Sequence, residues 1–158
     1  MSNQENVFET ILAPMTGTAV AITEVPDPIF IEKILGDGIA IVPTEGKVVS
    51  PVDGTVSKVA ETGHIYAVTS DNGVEVVMHV GLETVALNGK CFQIHVKEGD
   101  KVKAGDPLAD ADLEFIKETG RNSITPIVIG SGLEGKELVC EEGEVQAGKT
   151  VIMKIVQK

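Results

Sequence analysis

Hydrophobic stretches in this chain are short, and polar or conformationally special residues interrupt them at close intervals. "TILAP", "TAVAI", "GIAIVP", "KVVSP", "GTVSKVA", "IYAVTS", "VEVVMHV", "PIVIG", "KELVC" and "TVIMKIV" are each of strand length and bounded by Gly, Pro, Asp or Asn. Val and Ile, which suit a pleated surface, dominate them. The pattern predicts an all-β fold of many short, mostly antiparallel strands in a β-sandwich or barrel. Helical spacing is confined to "DADLEFIKETG", residues 110–120. There Asp112 can cap, Leu113, Ile116 and Lys117 follow the helical period, and Gly120 ends the run. One or two short helices are therefore expected.

Two pairs of segments echo each other. "APMTGTAV" (13–20) resembles "SPVDGTVS" (50–57), and "EGDKVKAGDPL" (98–108) resembles "EGEVQAGKTV" (142–151). Neither is a tandem array of fixed period. They suggest one hairpin type used twice within one domain. Residues 1–10 read as a short polar lead and residues 11–158 as a single domain, with no linker or low-complexity tract.

Composition narrows the function classes. The 158 residues, 42% hydrophobic and 23% charged, suffice for a sizeable core. The 13 Lys and Arg against 24 Asp and Glu leave a formal charge of −11. That balance disfavours nucleic acid and anionic membranes and suits a basic protein partner. No apolar run approaches the ~20 residues of a membrane span. The N-terminal "MSNQENVFET" lacks the basic region and apolar core of a secretory signal. Cys91 and Cys140 have no CxxC or metal spacing and are expected as reduced thiols of a cytoplasmic protein. GxxxxGK[ST] is absent, so no nucleotide-phosphate cradle of that kind is expected.

Candidate chemistry lies in "ETGHIYAVTSDNGVEVVMHVGLETV", residues 61–85. Strands over 64–70 and 73–80 would flank Ser70-Asp71-Asn72-Gly73, whose residues tolerate positive φ. A loop at Asp71-Asn72 sets His64 opposite His79. A loop at Asn72-Gly73 sets His64 opposite Gly81, diagonal to His79 on the same face. A three-residue loop or a bulge would break the juxtaposition. Thr62 shares the face of His64 if the strand extends through Gly63. Glu75 and Val77 share the face of His79, while Val74, Val76, Met78 and Val80 turn into a core. The ordinary reading of His79 is a core histidine, but its place on the less apolar face weakens that reading. Two histidines and a threonine on such a surface suit metal binding, general acid–base catalysis, or nucleophilic use of one imidazole with the other orienting it. No carboxylate or Cys completes a ligand spacing, so no metal is expected. Gly81 would leave room for a bulky group such as a phosphoryl. The pattern leaves acid–base and nucleophilic use open.

The run Gly73, Val76-Val77-Met78-His79-Val80-Gly81-Leu82 and Thr84-Val85 resembles the phosphorylation-site signature of the glucose-type enzyme IIA proteins of the bacterial sugar phosphotransferase system. "APMTGT", "VPDPIFIEKILGDGIAIVPTEGKVVSPVDGT", "ETGH", "EGDKVKAGDPL" and "TPIVI" follow the family's order and spacing, from about residue 11 to the C-terminus. The resemblance implies an antiparallel β-sandwich or barrel of the duplicated-hybrid-motif type. It also implies phosphoryl transfer. The phosphocarrier HPr donates to His79, which passes the group to a cysteine of the sugar-specific IIB domain. Neither metal nor nucleotide nor other cofactor is implied. By the family's pattern His64 is the second active-site histidine, orienting and stabilising the phosphoryl group, and Thr62 supports it by hydrogen bonding. An apolar contact surface is expected at Ile29, Phe30, Ile34, Leu35, Val77 and Val85, with Asp27 and Glu83 as acidic rim residues facing a basic partner.

Departures from the family's pattern are few. Ala60 and Val77 are smaller than the aromatics some members carry, and His95 matches no family site and reads as a structural or surface histidine. The polar lead favours a free-standing protein without membrane anchoring. Other classes fit poorly. A zinc peptidase of this barrel type needs a His-x-His pair where Met78-His79-Val80 offers one imidazole. A biotin or lipoyl carrier needs a second half-domain after its lysine, and only four residues follow Lys154. Some relatives regulate other enzymes or permeases when unphosphorylated. A purely regulatory module of the same fold is therefore the alternative.

Overall fold

The computed structural model describes residues 6–32, 36–87 and 89–157. Among them the strands are β1 (Val7–Leu12), β2 (Gly17–Ala21), β3 (Gly38–Pro43), β4 (Lys47–Val49), β5 (Gly54–Val59), β6 (Ile65–Ser70), β7 (Glu75–His79), β8 (Phe92–Ile94), β9 (Lys101–Val102), β10 (Pro107–Ala111), β11 (Thr125–Ser131), β12 (Lys136–Cys140), β13 (Gly143–Val145) and β14 (Val151–Gln157). The pairings are antiparallel and build three sheets, ordered β1-β14-β12, β4-β10-β8 and β13-β2-β3-β11-β7-β6-β5-β9. This is the all-β sandwich expected from the pattern. Among the described residues no helix is long and apolar enough to cross a membrane.

One apolar cluster draws on the inner faces of all three sheets. It includes Ile11, Ile152 and Ile155, then Val48 and Leu108, then Ile41, Tyr66, Met78 and Ile127. Val74, Val76, Met78 and Val80 are fully buried in it, as alternation predicts. A second cluster lies on the other face of the large sheet, where Ala40 and Val128 alternate with the inward residues. Ile22, Val25, Phe30, Leu82 and Ile124 cover them. This outer cluster carries the candidate site.

Among the described residues there are two short α-helices. α2 (Leu113–Glu118) falls where its spacing predicts: the Asp112 carboxylate accepts the Phe115 N–H at 3.0 Å, and the Gly120 N–H is donated to the Lys117 carbonyl at 2.9 Å. α1 (Pro28–Ile31) is one turn long, capped by Asp27 and started by Pro28. It is too short for a periodicity signal, and β8, β9, β10 and β13 are likewise absent from the apolar pattern. β1 opens at Val7, inside the stretch expected as a polar lead. Glu9 and Thr10 pair with Ile155 and Lys154, and Phe8 packs on the core beneath the Lys136 ammonium.

The sequence echoes are not local hairpins. Each pairs with the other kind across the chain: Val145 lies opposite Gly17 and Val102 opposite Gly54. The two first-type segments also bond reciprocally, Leu12 N–H to the Pro51 carbonyl at 3.0 Å and Val49 N–H to the Pro14 carbonyl at 2.8 Å. A local pseudo-two-fold relation results, as the duplicated-motif resemblance implies.

Candidate active site

His79 closes β7, at the rim of the large sheet. The hairpin leading to it has the loop that alternation could not accommodate. Ser70 N–H bonds the Val74 carbonyl at 2.8 Å, so Asp71, Asn72 and Gly73 form a three-residue loop. The register runs from Thr69 opposite Glu75 to Ile65 opposite His79. Both two-residue loops expected from the sequence are thereby corrected, and continuing the ladder sets His64 opposite Val80, whose N–H meets the His64 carbonyl at 2.7 Å. The imidazoles nevertheless meet, with ring centroids 5.4 Å apart and planes at 77°. The reason is local. β6 begins at Ile65, and residues 61–64 form a turn closed by Gly63 N–H to the Ala60 carbonyl at 2.8 Å. Gly63 has φ +78° there. His64 lies outside the pleat, so its side chain is not bound by alternation.

Each imidazole has a fixed partner. Nδ1 of His79 lies 2.7 Å from the Gly81 carbonyl, which only accepts, so Nδ1 carries the proton and Nε2 keeps its lone pair. Nδ1 of His64 lies 2.6 Å from the Thr62 hydroxyl, within the same turn rather than along a strand. The Phe30 and His79 rings meet edge to face, with centroids 5.6 Å apart and planes at 71°.

Burial is the largest cause holding the His79 pKa below the ordinary imidazole value. The bond to Gly81 and the nearby Asp27 carboxylate oppose it. His64 is also pushed down, first by burial, then by His79 and Lys58. Lys58 reaches this neighbourhood because a bulge after Val56 sets it opposite Ala67, in line with Val77. Both rings therefore favour the neutral form.

Gly81 does not serve to make room. It is buried with φ +77°, and a Cβ there would meet Cγ2 of Thr84 at 2.7 Å and the Asn122 carbonyl at 3.2 Å. The turn itself requires glycine. Three bonds hold this turn: Thr84 hydroxyl to the Val80 carbonyl at 2.6 Å, Leu82 N–H to the Asn122 carbonyl at 2.8 Å, and Arg121 Nε–H to the Glu83 carbonyl at 3.0 Å. Sequence reasoning assigned no role to Thr84, Arg121 or Asn122. Thr84 lies in the signature without a role read from it, and the contributions of Arg121 and Asn122 rest on long-range bonds to backbone groups that no motif marks.

The other expected site residues distribute unevenly. Ile29 is 44% exposed, and Ile31 beside it 41%. Phe30 is buried, so it supports His79 from beneath rather than offering surface. Val77 is half-buried against the outer cluster. Asp27 caps α1 through Ile29 N–H at 3.1 Å, and Glu83 is exposed. Val85 belongs by its backbone to the 3-10 turn Thr84–Leu87. Ile34 and Leu35 lie outside the described residues. His95 pairs on the surface with Asp110 at 2.7 Å, away from the histidine pair's hydrogen bonds. Among the described residues no three His, Cys, Asp or Glu side chains converge to hold a metal ion. Cys91 is a buried thiol, and the Cys140 thiol is donated to the Gly38 carbonyl at 3.6 Å.

The chain resembles known proteins in both sequence and fold. The family model for the phosphoenolpyruvate-dependent sugar phosphotransferase system, EIIA 1, matches residues 9–134. The chain is 47% identical over 151 residues to the PTS system glucose-specific EIIA component of Bacillus cereus, covering 95% of this chain and 92% of that one. It is 48% identical over 144 residues to the glucose-specific EIICBA component of Staphylococcus carnosus, covering 90% of this chain and 21% of that longer one. Among solved structures, the glucose permease IIA from Mycoplasma capricolum superposes with a TM-score of 0.87 at 34% identity, covering 93% of this chain and 94% of that one.

Proposed function

Because the chain belongs to the EIIA 1 family of the phosphoenolpyruvate-dependent sugar phosphotransferase system, a phosphocarrier family of sugar uptake, we propose that His79 is its phosphoryl acceptor and His64 the group that steadies the phosphoryl oxygens. The observation that carries this reading is the bond from His79 Nδ1–H to the Gly81 carbonyl. It leaves Nε2 as the nucleophile. In the transfer the Nε2–P bond forms as the donor's N–P bond breaks, and the donor imidazole leaves with the electron pair of that bond. The proton on Nδ1 stays where it is. The ring becomes cationic on accepting the group, and the Gly81 carbonyl stabilises that cation. No proton has to move in the step, so positioning and charge stabilisation do most of the work.

Thr62 holds His64 Nδ1 at 2.6 Å; with the hydroxyl as donor in that contact, the His64 Nε2–H would be left to donate to a phosphoryl oxygen. The donor is the histidine-phosphorylated carrier HPr, and the acceptor is a cysteine thiolate of a IIB domain, whose sulfur displaces Nε2 from phosphorus. Relatives named EIICBA join this domain to further phosphotransferase components in one chain, which supports a IIB partner. Ile29 and Val77 would meet these partners with apolar surface, and Asp27 and Glu83 with negative charge, in the cytoplasm.

Intact-mass spectrometry after incubation with phosphoenolpyruvate, enzyme I and HPr tests the reading on wild type, His79→Ala and His64→Gln. One acid-labile phosphate on wild type, absent from His79→Ala, is expected. His64→Gln should accept the group but pass it on poorly. No phosphate on wild type beside a competent control would end the carrier reading and leave a regulatory binding module.

A further inference from the structure

A segment far from both histidines in sequence holds the turn after His79. Glu83 has φ +60° and is the one non-glycine residue in the left-handed region among those described. Its carbonyl accepts Arg121 Nε–H at 3.0 Å. The next residue of that segment, Asn122, accepts Leu82 N–H on its backbone carbonyl at 2.8 Å. That N–H and the Gly81 carbonyl belong to the same planar peptide group. In a trans peptide the two point in opposite directions, so fixing the N–H on one side aims the carbonyl at His79 on the other. Arg121 is itself rooted, its backbone N–H meeting the carbonyl of buried Ile116 in α2 at 3.2 Å.

We infer that Arg121 is a positioning residue. It clamps the Gly81–Glu83 turn to the segment after α2, keeps the Gly81 carbonyl on Nδ1 of His79, and thereby selects the tautomer that exposes Nε2 for phosphoryl transfer. The consequence for transfer rests on His79 being the acceptor, whereas the tautomer effect does not.

Histidine-selective nitrogen NMR reports which ring nitrogen carries the proton. It is paired with the rate of phosphorylation by phospho-HPr and the melting temperature for wild type, Arg121→Met and Arg121→Lys. Methionine keeps an apolar stem without a donor, and lysine restores one. The methionine variant should lose the single Nδ1–H tautomer of His79 and accept phosphate about tenfold more slowly, the size of one lost charge-assisted bond. Lysine should recover much of both. Should the methionine variant not fold, Arg121→Ala, likewise without a donor, serves in its place. An unchanged His79 tautomer overturns the inference whatever happens to the rate, since a slower rate alone would mean a partner contact. A wild type that shows the tautomer but accepts no phosphate would sink the acceptor reading while leaving the clamp intact.

Discussion

Burial and a carboxylate pull His79 in opposite directions. Burial lowers its pKa, while Asp27 and the Gly81 carbonyl raise it without overcoming that effect. In the proposed transfer the neutral ring is the nucleophile, so acceptance of phosphate should be complete above this lowered pKa and fade as pH falls through it. Stability follows the same sign. Both folded-state histidines titrate below the ordinary 6.5, so the unfolded chain binds more protons in that window, and stability drops as pH falls below 6.5. In Asp27→Asn the amide oxygen still caps Ile29, but the charge is gone. The His79 midpoint should move further down in an NMR titration, and an unmoved or raised midpoint would show that the carboxylate is not felt. Residue types and the signature around them singled out His79, His64 and Thr62 as candidates. Their meeting was expected by the wrong route: the alternation argument assumed a loop one residue too short, and the turn at Gly63 brings the rings together instead.

Single turns, rather than long elements, shape the site. α1 has four residues and no independent stability. It persists because Asp27 caps it, Pro28 starts it and Phe30 buries beneath it. The turn after β7 depends on Gly81, where a side chain would meet Thr84 and the backbone would be strained. Gly81→Ala should therefore destabilise the fold by about 2 kcal/mol, read as a lower urea midpoint with an unchanged slope. It should also disturb the His79 tautomer, since the displaced carbonyl is its acceptor. A variant as stable as wild type would mean that the turn yields easily. The α2 helix was readable from its cap and its stop. Neither α1 nor the short strands β8, β9 and β13 could be, since two to four residues carry no period.

Charge acts at the scale of the molecule. A formal −11 surrounds a site whose rim includes Asp27 and exposed Glu83. Association with a basic phosphocarrier should be steered by this field. Stopped-flow association rates should fall about tenfold or more as salt rises from about 50 mM to about 500 mM. A flat salt dependence would shift the weight of recognition to the exposed Ile29 and Ile31 surface. The pseudo-two-fold relation also belongs to this scale. The echoes were visible in the sequence, but a hairpin between neighbours was the natural expectation, and the chain instead joins them over long separations.

Residue order alone determined the class of fold, because alternating Val and Ile between Gly and Pro leave little besides short antiparallel strands. It also determined which side chains could do chemistry, since few imidazoles are present and one sits in a specific signature. The tertiary structure decided how those groups meet. The Gly63 turn carries His64 out of the pleat, and the Gly81 carbonyl fixes a tautomer. Arg121 and Asn122 secure that carbonyl from a segment some forty residues onward in the chain. Backbone orientation and long-range hydrogen bonds set these features, and neither leaves a periodic trace in the sequence.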